Sequence, residues 1–392
     1  MPGSTRSYEF ACRLVSRGDT VHMITSDWQG CAPRSFSAER GISVHWLPVY
    51  YSNRMSKTKR IFAFIKYIWY TLKVGSKLDF DLIVASSTPL TIALPALWLK
   101  YNKKVPLVFE VRDLWPQLPI AVGAIKSPLL IWLAKRLEKM VYQASQQIVV
   151  LSKGMHAELL KNGLPNKKMS TITNLSDIEL FNVSSEEGWR FRQNFSWLAD
   201  RPLVVYTGAF GRINGLSYLV EMALEMKKIN QEVRFLLVGD GYARDHLSQL
   251  AEKYGILNQT LFMIDYLPKN QMPVLLSAAT VATSFFIDLP EMENNSANKF
   301  FDALAAGRPI IINYGGWQAD LLRETQAGLV VPVGDPCTAA AQLNTLISNQ
   351  TALRKMCAAS KHLASQFDVE TCFKLFANSI DSAYDIYQSN VS

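Results

Sequence analysis

Glu291-Met-Glu-Asn-Asn-Ser-Ala-Asn-Lys-Phe-Phe-Asp302-Ala-Leu-Ala-Ala-Gly-Arg-Pro309-Ile-Ile-Ile-Asn-Tyr-Gly-Gly316 is the stretch whose reading decides the fold. It follows an apolar strand pattern, Val281 to Phe286, and opens with a polar loop that lacks glycine. Asn295 or Ser296 is placed to cap a helix running to about Ala306. Gly307 ends that helix, Pro309 blocks its continuation, and Ile310 to Ile312 read as the next parallel strand. A strand, a polar loop and a helix N-terminus make an anion site, because the first turn has free N–H groups and partial positive charge. Lys299 adds a full charge beside it. Asp302, one turn on, can accept two hydrogen bonds from a vicinal diol such as a ribose. Together these residues point to a nucleoside diphosphate. The same pattern also fits an ordinary capped helix with a surface Lys–Asp pair.

Working outward, 392 residues with 49% hydrophobic and 19% charged content describe a globular chain long enough for two domains. The five cysteines, Cys12, Cys31, Cys337, Cys357 and Cys372, contain no C-x-x-C pair, so neither a disulfide framework nor structural zinc is expected. The five histidines show no metal-ligand spacing. No run of apolar residues reaches membrane-spanning length and the N-terminus lacks signal-peptide shape, so a cytoplasmic location is expected. Residues 1–180 carry 24 Lys/Arg against 12 Asp/Glu, whereas residues 181–392 carry 17 against 21. The basic half therefore calls for an anionic partner. Without a nucleic-acid motif, lipid headgroups are favoured over nucleic acid.

In chain order a helix ends near Arg17-Gly18, followed by strand patterns at 20–25, 41–50, 81–87, 106–113, 146–152 and 169–174. The second half repeats them at 202–208, 233–240, 261–266, 281–286, 308–314 and 327–333. Helical patterns separate most of them, which is the rhythm of parallel α/β sheets. Two Rossmann-like, doubly wound domains facing across a cleft are expected: 1–178, 179–370, and a C-terminal helix, 371–392, returning to the first. Ligands in such sheets bind beyond the carboxyl ends of the strands. The chain begins inside the loop Pro2-Gly-Ser-Thr-Arg-Ser7, where a first strand is expected to precede it, so a truncated N-terminus is expected.

Arg17-Gly-Asp-Thr-Val-His-Met-Ile-Thr25, Tyr206-Thr-Gly-Ala-Phe-Gly-Arg-Ile-Asn-Gly215, Leu237-Val-Gly-Asp-Gly241 and Asn298-Lys-Phe-Phe-Asp-Ala-Leu-Ala-Ala-Gly-Arg-Pro309, with Gly315-Gly316, resemble the retaining glycosyltransferases of family 4 over nearly the whole chain. The resemblance implies the GT-B fold and a nucleotide-sugar donor, with uracil as the base by analogy. Glu110-Val-Arg-Asp-Leu-Trp-Pro116 resembles the WbuB-like subgroup of O-antigen and capsule enzymes, including proposed L-fucosamine transferases. That subgroup implies a polyprenyl-diphosphate-linked saccharide acceptor.

The chain departs from the family in places. Of two acidic positions eight apart, Asp302 fills the second and Asn294 the first; Glu291 or Glu293 is left to supply a carboxylate. The family's Arg and Lys after the first strand of the second domain fall on Ala209 and Asn214, and Arg212 and Lys299 are the expected substitutes. The family's His–Asp pair falls on Arg112-Asp113, making Asp113 the candidate for contacting sugar or acceptor; it also fits a strand-end turn. Gly3 and Ser4 permit close backbone approach to the donor. Gly208 and Asn214, the backbone of Ser296, Ala297 and Asn298, and Asp302 complete the expected donor site, with Tyr266 and Leu267 at the base.

Asp79-Phe-Asp81 has the form of a metal–diphosphate pair but sits at the amino edge of a strand, so no metal and no cofactor are expected. Between Lys57 and Lys77, Ile61, Phe64, Ile65, Ile68 and Leu72 share one helical face. That face fits packing on the sheet with a solvated basic rim. Lys59, Arg60, Lys66, Trp69 and Lys73 also fit docking on an anionic membrane surface. Three functions compete: the transferase, an inactive binding homologue and a nucleotide-sugar epimerase. A Rossmann dehydrogenase is disfavoured, since no G-x-G-x-x-G follows a strand.

Overall fold

A computed structural model describes residues 6–27, 36–52 and 55–391. The described residues fall into two compact units, 6–173 with 372–391, and 174–371.

In the first unit α1 (Arg6–Arg17) leads into β1 (His22–Ser26), β2 (Phe36–Glu39) and β3 (Ile42–Leu47), hydrogen-bonded in the order β1-β3-β2. β1 runs parallel to β3 and β2 antiparallel. Next come α2 (Lys57–Gly75), β4 (Ile83–Ser86), α3 (Ala93–Lys103), β5 (Leu107–Val111), α4 (Gln117–Ala121), α5 (Pro128–Ala144), β6 (Gln147–Val150), α6 (Lys153–Lys161) and β7 (Met169–Thr171). β4 to β7 form a parallel sheet in sequence order, because parallel neighbours need helical crossovers. Among the described residues no strand joins β1 to β4, and the unit keeps two sheets. β5 and β6 are buried along their whole length, as strands covered on both faces are.

The second unit alternates the same elements: α7 (Ser185–Gln193), β8 (Leu203–Thr207), α8 (Leu216–Ile229), β9 (Arg234–Val238), α9 (Arg244–Lys253), β10 (Leu261–Ile264), α10 (Met272–Ala278) and β11 (Val281–Ser284). α11 (Asn298–Ala305), β12 (Ile310–Ile312), α12 (Trp317–Thr325), β13 (Gly328–Val330), α13 (Pro336–Ser348) and α14 (Gln350–Ala364) follow. Its strands make one parallel sheet in the order β10-β9-β8-β11-β12-β13. The chain winds outward from β8 to β10, then restarts on the other side of β8 with β11, so the winding reverses between β8 and β11. The last helix, α15 (Val369–Val391), lies mostly in the first unit, where Phe376 stacks on Phe10 of α1 at 4.4 Å.

One charge pair fixes α1 to the first unit's parallel sheet. Arg6 Nε donates to Glu110 Oε1 at 2.6 Å, Ser86 Oγ donates to Glu110 Oε2 at 2.5 Å, and Arg6 Nη1 donates to the Thr173 carbonyl. Both partners are buried. Burial disfavours the charged form of Glu110, but Arg6, Arg112 and the Ser86 bond outweigh it and hold the carboxyl below its ordinary range. Because its folded pKa lies below its unfolded one, its contribution is present above about pH 4.3 and is lost as pH falls through the folded value. Glu110→Gln, which strands the Arg6 charge, is expected to cost about 3–5 kcal/mol by urea unfolding at pH 7. That difference is expected to shrink on acidification.

Candidate functional site

The reversal between β8 and β11 is where an open α/β sheet leaves a crevice beyond its strand ends. Two loops meet there, one after β8 and one after β11, laced by Ile287 N donating to the Ile213 carbonyl at 2.9 Å. Close backbone approach demands glycine beside them. A Cβ on Gly239 would sit 1.9 Å from the Gly208 carbonyl oxygen, and Gly215, with φ +54°, would bring one to 2.8 Å from the Phe286 carbonyl.

α11 begins here, and its capping differs from the expectation. Ala297 occupies the N-cap position and no side chain caps the helix. Ser296 instead receives Asn174: Asn174 N donates to Ser296 Oγ at 3.4 Å and Asn174 Nδ2 to the Ser296 carbonyl. Asn295 Oδ1 accepts from Ala297 N at 3.1 Å, and the Asn295 carbonyl accepts from Trp317 Nε1 at 2.8 Å. The loop is therefore fixed from behind, and the first turn of the helix carries no cap side chain.

Lys299 stands in that first turn. Its Nζ donates to Tyr206 Oη at 3.0 Å and to Asn214 Oδ1 at 3.1 Å, and it lies 4.3 Å from the Tyr206 ring centroid. Among the described residues no carboxylate pairs with it. Burial alone brings its pKa down to about 7. Tyr206, fully buried at the end of β8, donates onward to the Ala209 carbonyl at 2.9 Å, so its oxygen is oriented to accept from the lysine. Asn214 Nδ2 donates to the same carbonyl at 2.9 Å. Asp302 is raised to about 7 by burial, with Lys269 opposing and Asp177 reinforcing the shift. A carboxyl poised near neutrality can both accept from and donate to a diol.

The structure thus brings Lys299, Asn214 and Gly208 together; a Cβ on Gly208 would lie 3.8 Å from Lys299 Nζ. Arg212 is exposed in the turn Arg212–Asn214. Tyr266 is exposed and Leu267 half-buried in the loop after β10. Asp113 lies at the carboxyl end of β5 in the other unit, where its carbonyl accepts from Trp115 N at 2.9 Å and burial raises its pKa against Arg112. Gly3 and Ser4 lie outside the described residues. The Glu293 carboxylate faces Gly315, where a Cβ would sit 3.0 Å from Oε1. Sequence reasoning missed Tyr206, whose tie to Lys299 spans 93 residues, and Arg244, which donates to the Gly239 carbonyl at 2.7 Å and pairs with Asp265 at 3.0 Å. The continuous apolar run of β8 hid the first; no local pattern marks the second.

Residues 3–174 match the family described as glycosyl transferase 4-like domain, and residues 201–349 match glycosyl transferases group 1. Together the two matches span most of the chain, each to a glycosyltransferase family. Curated relatives are distant. Alpha-D-kanosaminyltransferase of Streptomyces kanamyceticus is 21% identical over 201 residues, 51% of this chain and 50% of the relative, so the chain spans about half its length. The putative colanic acid biosynthesis glycosyl transferase WcaI of Escherichia coli K12 is 21% identical over 279 residues, 67% of this chain and 68% of WcaI. Among solved structures, Anabaena HepE in complex with UDP-glucose superposes with a TM-score of 0.68 at 18% identity, covering 88% of this chain and 87% of HepE. The fold of the chain is GT-B, with two Rossmann-like units.

A lysine whose folded pKa is depressed binds fewer protons folded than unfolded between about pH 7 and 10, so its burial opposes folding most below pH 7. Lys299→Met is expected to raise the Tm of the ligand-free protein at pH 6, by about 2–4 °C per kcal/mol relieved. The gain is expected to fade towards pH 10. Thermal scans across that range are the check.

Proposed function

We propose that the chain transfers a sugar from a UDP-sugar to a lipid-linked saccharide acceptor during surface polysaccharide assembly. The donor sugar proposed is an N-acetylated amino sugar such as N-acetyl-L-fucosamine, transferred with retention and without metal. The observation that carries this reading is the half-buried Lys299 amine, held among the described residues by the neutral oxygens of Tyr206 and Asn214 in the uncapped first turn of α11.

Ala297 N, expected to face the donor, is taken by Asn295 Oδ1, so diphosphate arriving there meets the backbone N–H groups of Asn298 and Lys299, the helix dipole and the amine. Its negative charge favours the ammonium, so Lys299 takes up a proton on binding. The same charge then stabilises the departing diphosphate as the glycosidic bond to it breaks. Fixed charge aimed at developing charge is commonly the largest catalytic contribution. Asp302 takes the ribose diol, and Tyr266 and Leu267 the base. HepE, solved with UDP-glucose, and WcaI, named for colanic acid biosynthesis, support the donor class and the pathway class. The acceptor class rests on the Glu110–Pro116 resemblance.

Calorimetric titration with UDP is expected to show binding that weakens by up to about tenfold per pH unit above pH 7, since the free amine must gain a proton. Lys299→Ala is expected to lower kcat/KM by about 10²–10³. UDP affinity independent of pH between 6.5 and 9, with full activity in Lys299→Ala, would refute the assignment. Donor breakdown to a new isomer without acceptor would favour the epimerase.

A further inference from the structure

α2, α3 and α5 are adjacent, α3 packing against both of the others. The expected face of α2 is only partly on the sheet: Phe64, Ile68 and Leu72 are half-buried, but Ile61, Phe62, Ile65 and Trp69 are exposed. α3 exposes Leu94, Trp98 and Tyr101, spaced by four and three, which is one helical stripe. α5 exposes Leu129, Leu130, Trp132 and Leu133 in its first two turns. The three tryptophans are exposed by 55%, 46% and 56%. Soluble monomers rarely leave contiguous apolar patches larger than roughly a few hundred Å² uncovered.

Charge selects the occupant. α2 and α3 contain no Asp or Glu, and α5 contains one, Glu138. Exposed Lys59, Lys66 and Lys73 border the stripe on α2, and Lys135, Arg136 and Lys139 border that on α5. Lys73 Nζ lies 5.2 Å from the Trp69 ring centroid, and the Arg136 guanidinium carbon 5.6 Å from that of Trp132. An indole beside a cation matches the headgroup level of a bilayer, where the ring is buried and the charge meets anionic lipid. A second copy of the chain would set two cationic rims against each other.

We propose that the exposed faces of α2, α3 and α5 form one surface that inserts into an anionic lipid bilayer. Of the five α2 residues read from the sequence, Lys59, Lys66, Trp69 and Lys73 are exposed and Arg60 is half-buried; the surface extends those four to three helices, with apolar insertion by α3 and α5 beside charge attraction. It goes beyond the donor chemistry and does not rest on it.

The test is co-sedimentation of the full chain with vesicles of phosphatidylglycerol and phosphatidylethanolamine, and with neutral phosphatidylcholine vesicles. Binding to the anionic vesicles is expected. Leu130→Ser with Trp132→Ser, or Trp98→Ser, is expected to weaken it about tenfold or more. Each exposed lysine replaced by Gln is expected to weaken it about fivefold. All these positions are exposed, and a circular dichroism spectrum and thermal transition equal to those of the unsubstituted chain are the check that the fold persists. The proposal is overturned if the chain stays in the supernatant with anionic vesicles, or if the α3 and α5 substitutions leave binding unchanged. It is equally overturned by a dimer that Trp132→Ser dissolves in a chain that does not bind vesicles. Vesicle binding without any UDP binding would sink the donor reading and leave this surface standing.

Discussion

A half-buried amine held by two neutral oxygens is the constraint around which the second unit is arranged. Lys299 reaches Tyr206 Oη and Asn214 Oδ1, and each of those groups is in turn fixed on the Ala209 carbonyl. The loop after β8 is therefore shaped around the lysine. With burial as the sole cause of its depressed pKa, the site is electrostatically incomplete without an anion. A structural lysine at such a position would ordinarily acquire a carboxylate or reach for water, because an uncompensated buried charge is costly. That cost is tolerable where binding of a diphosphate removes it.

The position of that lysine follows from the topology. Winding outward from β8 to β10 and restarting at β11 leaves the loops after β8 and β11 side by side, and the helix after β11 must begin in the gap. The close approach of Gly239 to the Gly208 carbonyl lets the neighbouring β9 loop fold against them. α11 presents an uncapped first turn because Asn295 bonds to Met292 and to Ala297, the N-cap residue itself, and Ser296 to Asn174, so neither side chain reaches an N–H inside the helix.

Much of this was legible in the residues. Every strand pattern expected from apolar runs corresponds to a strand, and the parallel order follows from the helices between them. β2 escaped because Phe-Ser-Ala-Glu is four residues long and too weakly patterned to stand out. The cap was misassigned because Ser and Asn before a helix carry the same local signal whether they bond forward to the helix or backward to another loop. Tyr206 was invisible as a site residue because its hydroxyl matters only through a tertiary contact. Glu110 read as part of a motif, and its pairing with Arg6 needed the fold. In the basic half, charge count and apolar content were both readable, but which apolar side chains remain in solvent was not. Periodicity gives a helix one face, whereas α2 divides its apolar residues between the sheet and the outside.

The most direct measurement is a crystal structure of the chain with UDP. A β-phosphate oxygen is expected at about 2.7–2.9 Å from Lys299 Nζ, with the backbone N–H groups of Asn298 and Lys299 directed at the diphosphate. A diphosphate bound away from the start of α11, with Lys299 still held by Tyr206 and Asn214 alone, would contradict it.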